Sequence, residues 1–184
     1  MGKQWGTKDI MLRIAVTGIP GIGKSTVVAK AAEKLADQPG FKIGGIQTAE
    51  IRKEGQREGF SIMDLATGKT GVLGSIRESG PRVGKYHVNL EDLEKIGANA
   101  LRSAMDCDLI VIDEVGTMEL KSEAFVSAVK VVLESDKPVL AVLHRSSSHQ
   151  LVQRMRREFE VLVVNEKNRD GLPGKIANRF REMR

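Results

Sequence analysis

The run Leu12-Arg13-Ile14-Ala15-Val16-Thr17, short and mostly apolar, leads directly into Gly18-Ile19-Pro20-Gly21-Ile22-Gly23-Lys24-Ser25. After it Val27, Val28, Ala31 and Leu35 recur at helical spacing. This order of strand, glycine-rich turn and helix constrains the fold more than any other feature of the chain. Glycines let the backbone turn successive N–H groups inward as an anion nest, and the helix adds the positive end of its dipole. Lys24 brings a mobile point charge for phosphates, and the Ser25 hydroxyl is a hard oxygen suited to Mg²⁺. The string satisfies Gly-x-x-x-x-Gly-Lys-[Ser/Thr] in the context such a phosphate loop requires. Two partial copies fail: Gly68-Lys69-Thr70 has Met63 where the leading glycine belongs, and Gly174-Lys175 is followed by Ile176.

The first helix is expected to stop at Asp37-Gln38-Pro39-Gly40. From Phe41 to Gly84 the chain turns glycine-rich, with short pieces Ile43 to Ile51, Gly59 to Leu65 and Thr70 to Leu73 that read as an antiparallel β insertion. Helical spacing resumes at Leu90, Leu93, Ile96, Ala100 and Leu101, with Asn89 as N-cap. Strands are expected at Leu109 to Asp113, Val139 to Leu143 and Val161 to Val164. Helices are expected at Ser122 to Glu134, around Leu151, Met155 and Phe159 behind a capping box of Ser147 and Gln150, and from Pro173 through Phe180. Alternating strands and helices predict an α/β fold of three layers, a mostly parallel sheet covered on both faces, with the β insertion added. One domain over residues 1–184 is expected, divided into 10–40 for the phosphate-loop unit, 41–88 for the insertion and 89–184 for the remaining α/β units.

Asp108-Leu109-Ile110-Val111-Ile112-Asp113-Glu114 is a strand ending in two carboxylates. In an open parallel sheet, ligands sit off the carboxyl ends of the strands, where both this pair and the glycine-rich loop would lie. Asp113 is the candidate to orient magnesium together with Ser25, and Glu114 the candidate general base for water attacking a γ-phosphate.

Net charge of +5 suits a polyanion, yet only 4% of residues are aromatic and no nucleic-acid signature is present, so a nucleic-acid partner is unsupported. No apolar run approaches the ~20 residues of a membrane span. Met1 to Asp9 is polar, lacks a signal-peptide core, and has Gly6 where a myristoylation signal needs Ser or Thr. It reads as a frayed lead-in on a cytoplasmic protein, expected to be a monomer. The single Cys107 excludes an internal disulfide and reads as a buried thiol. His87, His144 and His149 have no metal-ligand spacing, so zinc is not expected.

With the loop continuing to Thr26, the stretch Asp108 to Leu120 reading DLIVIDEVGTMEL, and Asn168-Arg169-Asp170-Gly171-Leu172-Pro173, the sequence resembles the cancer-related nucleoside-triphosphatase family over nearly its whole length. The resemblance implies magnesium-dependent hydrolysis of several nucleoside triphosphates on a RecA-like sheet carrying a β hairpin region. Ala49 departs from the pattern, standing where a second acidic residue beside Glu50 is expected. The nucleotide-binding set is then Gly18, Ile19, Pro20, Gly21, Ile22, Gly23, Lys24, Ser25 and Thr26, with Asn168 and Arg169 flanking the base. Arg145, after the strand Val139 to Leu143, is a candidate for stabilising γ-phosphate charge, with a surface salt bridge as the alternative. Glu50 and Arg52 either face the phosphates or form an exposed ion pair. Two other functions use the same loop: a nucleoside or nucleotide kinase whose acceptor is held by the insertion, and a nucleotide-gated module binding RNA or protein.

Overall fold

The computed structural model describes residues 11–183, so the lead-in Met1–Asp9 lies outside the described residues. β1 (Arg13–Thr17) is buried along its whole length, and α1 (Lys24–Ala36) turns Val27, Val28, Ala31 and Leu35 inward before ending ahead of Pro39 and Gly40. The chain then runs through β2 (Ile43–Lys53), β3 (Gln56–Asp64), β4 (Thr70–Ser75), β5 (Arg82–Val83) and β6 (Tyr86–Val88). A helical stretch follows: α2 (Leu90–Asp92), a π-helical segment Leu93–Ala98, and α3 (Asn99–Ser103). Asn89 caps it, its side chain accepting from Asp92 N at 2.9 Å. The rest alternates as the sequence predicts: β7 (Leu109–Val115), α4 (Glu123–Glu134), β8 (Val139–Leu143), α5 (Gln150–Glu158), β9 (Glu160–Val163) and α6 (Leu172–Arg181).

The nine strands of the described residues form one sheet in the order β5-β6-β4-β3-β2-β7-β8-β1-β9. The five from β2 to β9 in that order are parallel, and the four at the other end are antiparallel. Alternation along each parallel strand divides the core between two faces. Ile14, Val16, Leu109, Val111, Leu140 and Val142 pack with α1 and α6, whereas Ala15, Ile110, Ile112, Ala141 and Leu143 pack with α3, α4 and α5. This is the three-layer α/β fold expected from the sequence.

β2 does not respect a boundary between core and insertion. Its residues Ile43–Ile46 pair in parallel with Leu109–Ile112, and the same strand continues to Lys53 antiparallel to β3. At 11 residues it is long enough to cross the sheet and project beyond its carboxyl edge. The crossing depends on Gly45, whose φ of +106° is closed to most side chains and whose added Cβ would lie 2.0 Å from Val111 O.

One expected cap is corrected. The capping box of Ser147 and Gln150 does not form, because Gln150 is already the first residue of α5 and cannot serve as its third. His149 is the N-cap, with Nδ1 accepting from Leu151 N at 3.1 Å, while Ser147 Oγ accepts from His149 N at 3.2 Å. Among the described residues, no helix is long and apolar enough to cross a membrane.

Candidate functional site

The glycine-rich loop joins β1 to α1 at the carboxyl edge of the parallel sheet. Gly23 is the N-cap residue of α1, with a φ of +105°, and contributes no side-chain acceptor; the first turn contains no acidic residue either. The N–H groups of that turn are therefore offered to an external anion, with the helix dipole behind them. Lys24 folds back over the loop, its Nζ donating to the carbonyls of Gly18 and Ile19 at 3.2 Å each.

β7 brings the acidic pair to the same edge. Ser25 Oγ donates to Asp113 Oδ1 at 2.9 Å, so residues 88 apart in sequence meet directly. Asp113 is fully buried, and its Oδ2 has no hydrogen-bond partner, although the Thr48 backbone amide exerts a smaller pull toward the charged form. Burial pushes the Asp113 carboxyl up to about 7, the Ser25 hydrogen bond only partly opposing it. Glu114 is half-buried and likewise raised by desolvation, with Lys24 and then His144 favouring its charged form. Across this pair the register between β7 and β8 shifts, so that Val115 meets Leu143.

On the other side of the loop lies a cavity of about 560 Å³. Gly18, Ile19, Ile22, Val163 and Val164 give it an apolar wall, and Arg145, Asn165, Glu166 and Lys167 close it. Arg145 thus stands in this wall with an exposed side chain, and its carbonyl accepts from Arg156 Nη2 at 2.6 Å. Asn168 spends its amide on its own turn: Oδ1 accepts from Asn165 N at 2.8 Å and Nδ2 donates to Val163 O at 2.8 Å. Arg169 is exposed.

A family model described as NTPase matches residues 13–177. The chain belongs to the NTPase family. It is 75% identical over 170 residues to the nucleoside-triphosphatase THEP1 of Methanosarcina acetivorans, which covers 92% of this chain and 97% of that protein. The crystal structure of THEP1 from the hyperthermophile Aquifex aeolicus superposes with a TM-score of 0.82 at 30% identity, covering 92% of this chain and 99% of that one. The solution structure of a human cancer-related nucleoside triphosphatase gives 0.78 at 32% identity, with 94% and 99% covered.

In this NTPase-family chain a third carboxylate reaches the site that sequence reasoning did not single out. Glu119 is buried at the start of a short 3₁₀ turn, Oε2 accepting from Gly116 N at 3.1 Å. A Cβ added at Gly116 would lie 3.0 Å from both Glu119 Oε2 and Glu114 Oε1, so the two acidic side chains face each other across that glycine. Burial first, and the Glu114 charge second, push Glu119 up to about 8. The signal in the sequence was an acidic residue inside the largely apolar segment Val115 to Leu120.

Other candidates fall outside this NTPase-family site. Glu50 is exposed and ion-paired with Arg52 and Arg57, each at 2.7 Å, which realises the ion-pair alternative. Cys107 is half-buried and its thiol is raised by burial.

Proposed function

We propose that this chain hydrolyses nucleoside triphosphates to the diphosphate and phosphate. The observation that carries the reading is the Ser25–Asp113 hydrogen bond, which joins the phosphate loop to the acidic strand and leaves a buried carboxylate oxygen unpartnered beside it. Relatives named nucleoside-triphosphatase, one of them 75% identical over 92% of this chain, support it.

The donor set fits a hard divalent cation such as Mg²⁺: one hydroxyl and one carboxylate, both oxygen ligands. Among the described residues, no group of three or more His, Cys, Asp or Glu could hold a metal unaided, which suits an ion shared with the substrate phosphates. When bound, such an ion neutralises charge on the phosphate oxygens. Ser25 and Asp113 hold it in this reading, while Lys24 and the backbone N–H groups of Gly23 to Thr26 bind the β and γ phosphates. Glu114 orients the attacking water and accepts its proton. Desolvation of Glu114 makes its carboxylate a better proton acceptor, and Lys24 keeps the charged form available. The cavity beside Ile19 and Val163 holds the nucleoside, and its apolar wall reads shape more than base identity.

Phosphate release from ATP, GTP, CTP and UTP, measured with and without added nucleosides and nucleotides, tests the reading. Free phosphate in the absence of any acceptor is expected. Phosphorylated acceptor in place of free phosphate would instead identify a kinase.

A further inference from the structure

His144 and Arg145 follow β8 together, and the fold gives them different surroundings. β8 lies between β1 and β7 in the sheet. Its last residue, Leu143, stands opposite Val115 of β7, and the Leu143 carbonyl accepts the Thr17 hydroxyl at 3.0 Å from the end of β1. The next residue therefore leaves the sheet between Glu114 on one side and Gly18 on the other. His144 N remains tied to Val115 O at 3.4 Å, whereas the Arg145 side chain joins the wall of the apolar cavity.

One contact orients the imidazole and another holds the backbone that carries it. Ser146 N donates to His144 Nδ1 at 3.3 Å, which makes Nδ1 an acceptor and leaves Nε2 as the ring's donor. The half-buried Arg156 of α5 grips the backbone, Nη2 donating to His144 O at 2.7 Å and to Arg145 O at 2.6 Å. His144 is also near enough to Glu114 to act on it electrostatically. A held donor between the acidic pair and the phosphate loop stands where charge on a transferring phosphoryl group needs stabilising.

We infer that His144 is a catalytic residue whose Nε2–H donates to the terminal phosphoryl oxygens of the bound triphosphate, with Arg156 as the residue that positions it. The inference rests on the triphosphatase reading and moves to His144 the role that sequence reasoning offered to Arg145.

His144→Ala and His144→Gln are compared with the parent in two measurements. Calorimetry gives affinities for ADP and for a non-hydrolysable imido analogue of ATP, both with Mg²⁺; a second assay follows phosphate release. The Ala variant is expected to release phosphate about 10²-fold more slowly, the usual scale for losing one such donor. Its preference for the analogue over ADP is expected to fall at least about fivefold while ADP affinity stays within about threefold, and Gln, which keeps an N–H donor, is expected to recover most of both losses. Phosphate release by the Ala variant within about threefold of the parent, with an unchanged preference, overturns the inference. So does an equal weakening toward ADP and analogue, which marks a structural role. If the Ala variant does not fold, the Gln variant decides: a rate more than about 50-fold below the parent's overturns the inference, and a smaller loss supports it. If the parent itself releases no phosphate, the triphosphatase reading fails, and the ratio of analogue to ADP affinity still decides the contact made by His144.

Discussion

Ser25 Oγ and Asp113 Oδ1 lie 2.9 Å apart, and this one hydrogen bond joins the start of α1 to the end of β7. It costs the protein a buried acidic group, because Asp113 Oδ2 is enclosed without a partner. In the proposed reading, that oxygen is the one available to a cation and to the phosphates it accompanies.

The adjacent carboxylates should separate by function when each is replaced by its amide. Glu114→Gln is expected to bind ATP and Mg²⁺ nearly as the parent does while hydrolysing about 10² to 10⁴ times more slowly, since an amide cannot take the water's proton. Asp113→Asn is expected to weaken the magnesium dependence and binding together. Calorimetric dissociation constants and single-turnover rates for both variants make the comparison. Hydrolysis by Glu114→Gln within about threefold of the parent would remove Glu114 as the base.

Lys24→Ala should abolish most triphosphate affinity and nearly all turnover and leave the fold intact. The Lys24 ammonium is held only by two loop carbonyls, and its removal opens no hole in the core. Thermal shift is the measurement, because ligand at about 100 times its dissociation constant adds ~2.7 kcal/mol to the stability of a competent site. An undiminished shift in the variant would refute the assignment.

Without ligand, stability should fall as pH rises. Glu119 moves from an ordinary 4.5 to about 8 on folding, so the native state binds more protons than the unfolded chain between those values. The contribution is complete below 4.5 and is lost as pH passes through about 8; Asp113, raised to about 7, acts in the same direction. Glu119→Gln keeps the shape and an acceptor for Gly116 N–H but cannot ionise, so its melting temperature should fall less between pH 5 and pH 8.5. At this chain length each kcal/mol corresponds to about 2–4 °C. Parallel pH profiles for variant and parent would show that Glu119 ionises at its ordinary value.

Gly45→Ala should cost several times what Gly68→Ala costs. Both glycines have positive φ, +106° and +74°, but a Cβ at Gly45 meets Val111 O at 2.0 Å whereas one at Gly68 meets nothing within 4 Å. The second change is expected to cost about 1 kcal/mol of backbone strain, and the first more than about 3 kcal/mol because β2 must part from β7. Urea unfolding of the two variants compares them. Equal midpoints would mean that β2 can shift its register at no great cost.

The phosphate loop and the acidic strand were legible in the sequence because each depends on local chemistry. Gly18, Gly23, Lys24 and Ser25 need only a strand before them and a helix after them, and the apolar runs around Asp113 could only be buried strands. The near-continuous apolar runs of β1, β7 and β8, alternating with amphipathic helices, likewise pointed to a sheet covered on both faces. What the sequence could not supply was lateral order and burial. That β8 lies between β1 and β7, bringing His144 beside Glu114 and putting Arg145 in the cavity wall, follows from strand pairing, with Arg13 of β1 facing Val139 of β8 across 126 positions of sequence. That Glu119 is enclosed, that β2 serves both core and insertion, and that Asn168 holds its own turn are likewise outcomes of packing. Local pattern sets which residues can be buried or can turn. Tertiary structure sets which become neighbours, because pKa values and hydrogen bonds depend on distances that only the assembled sheet defines.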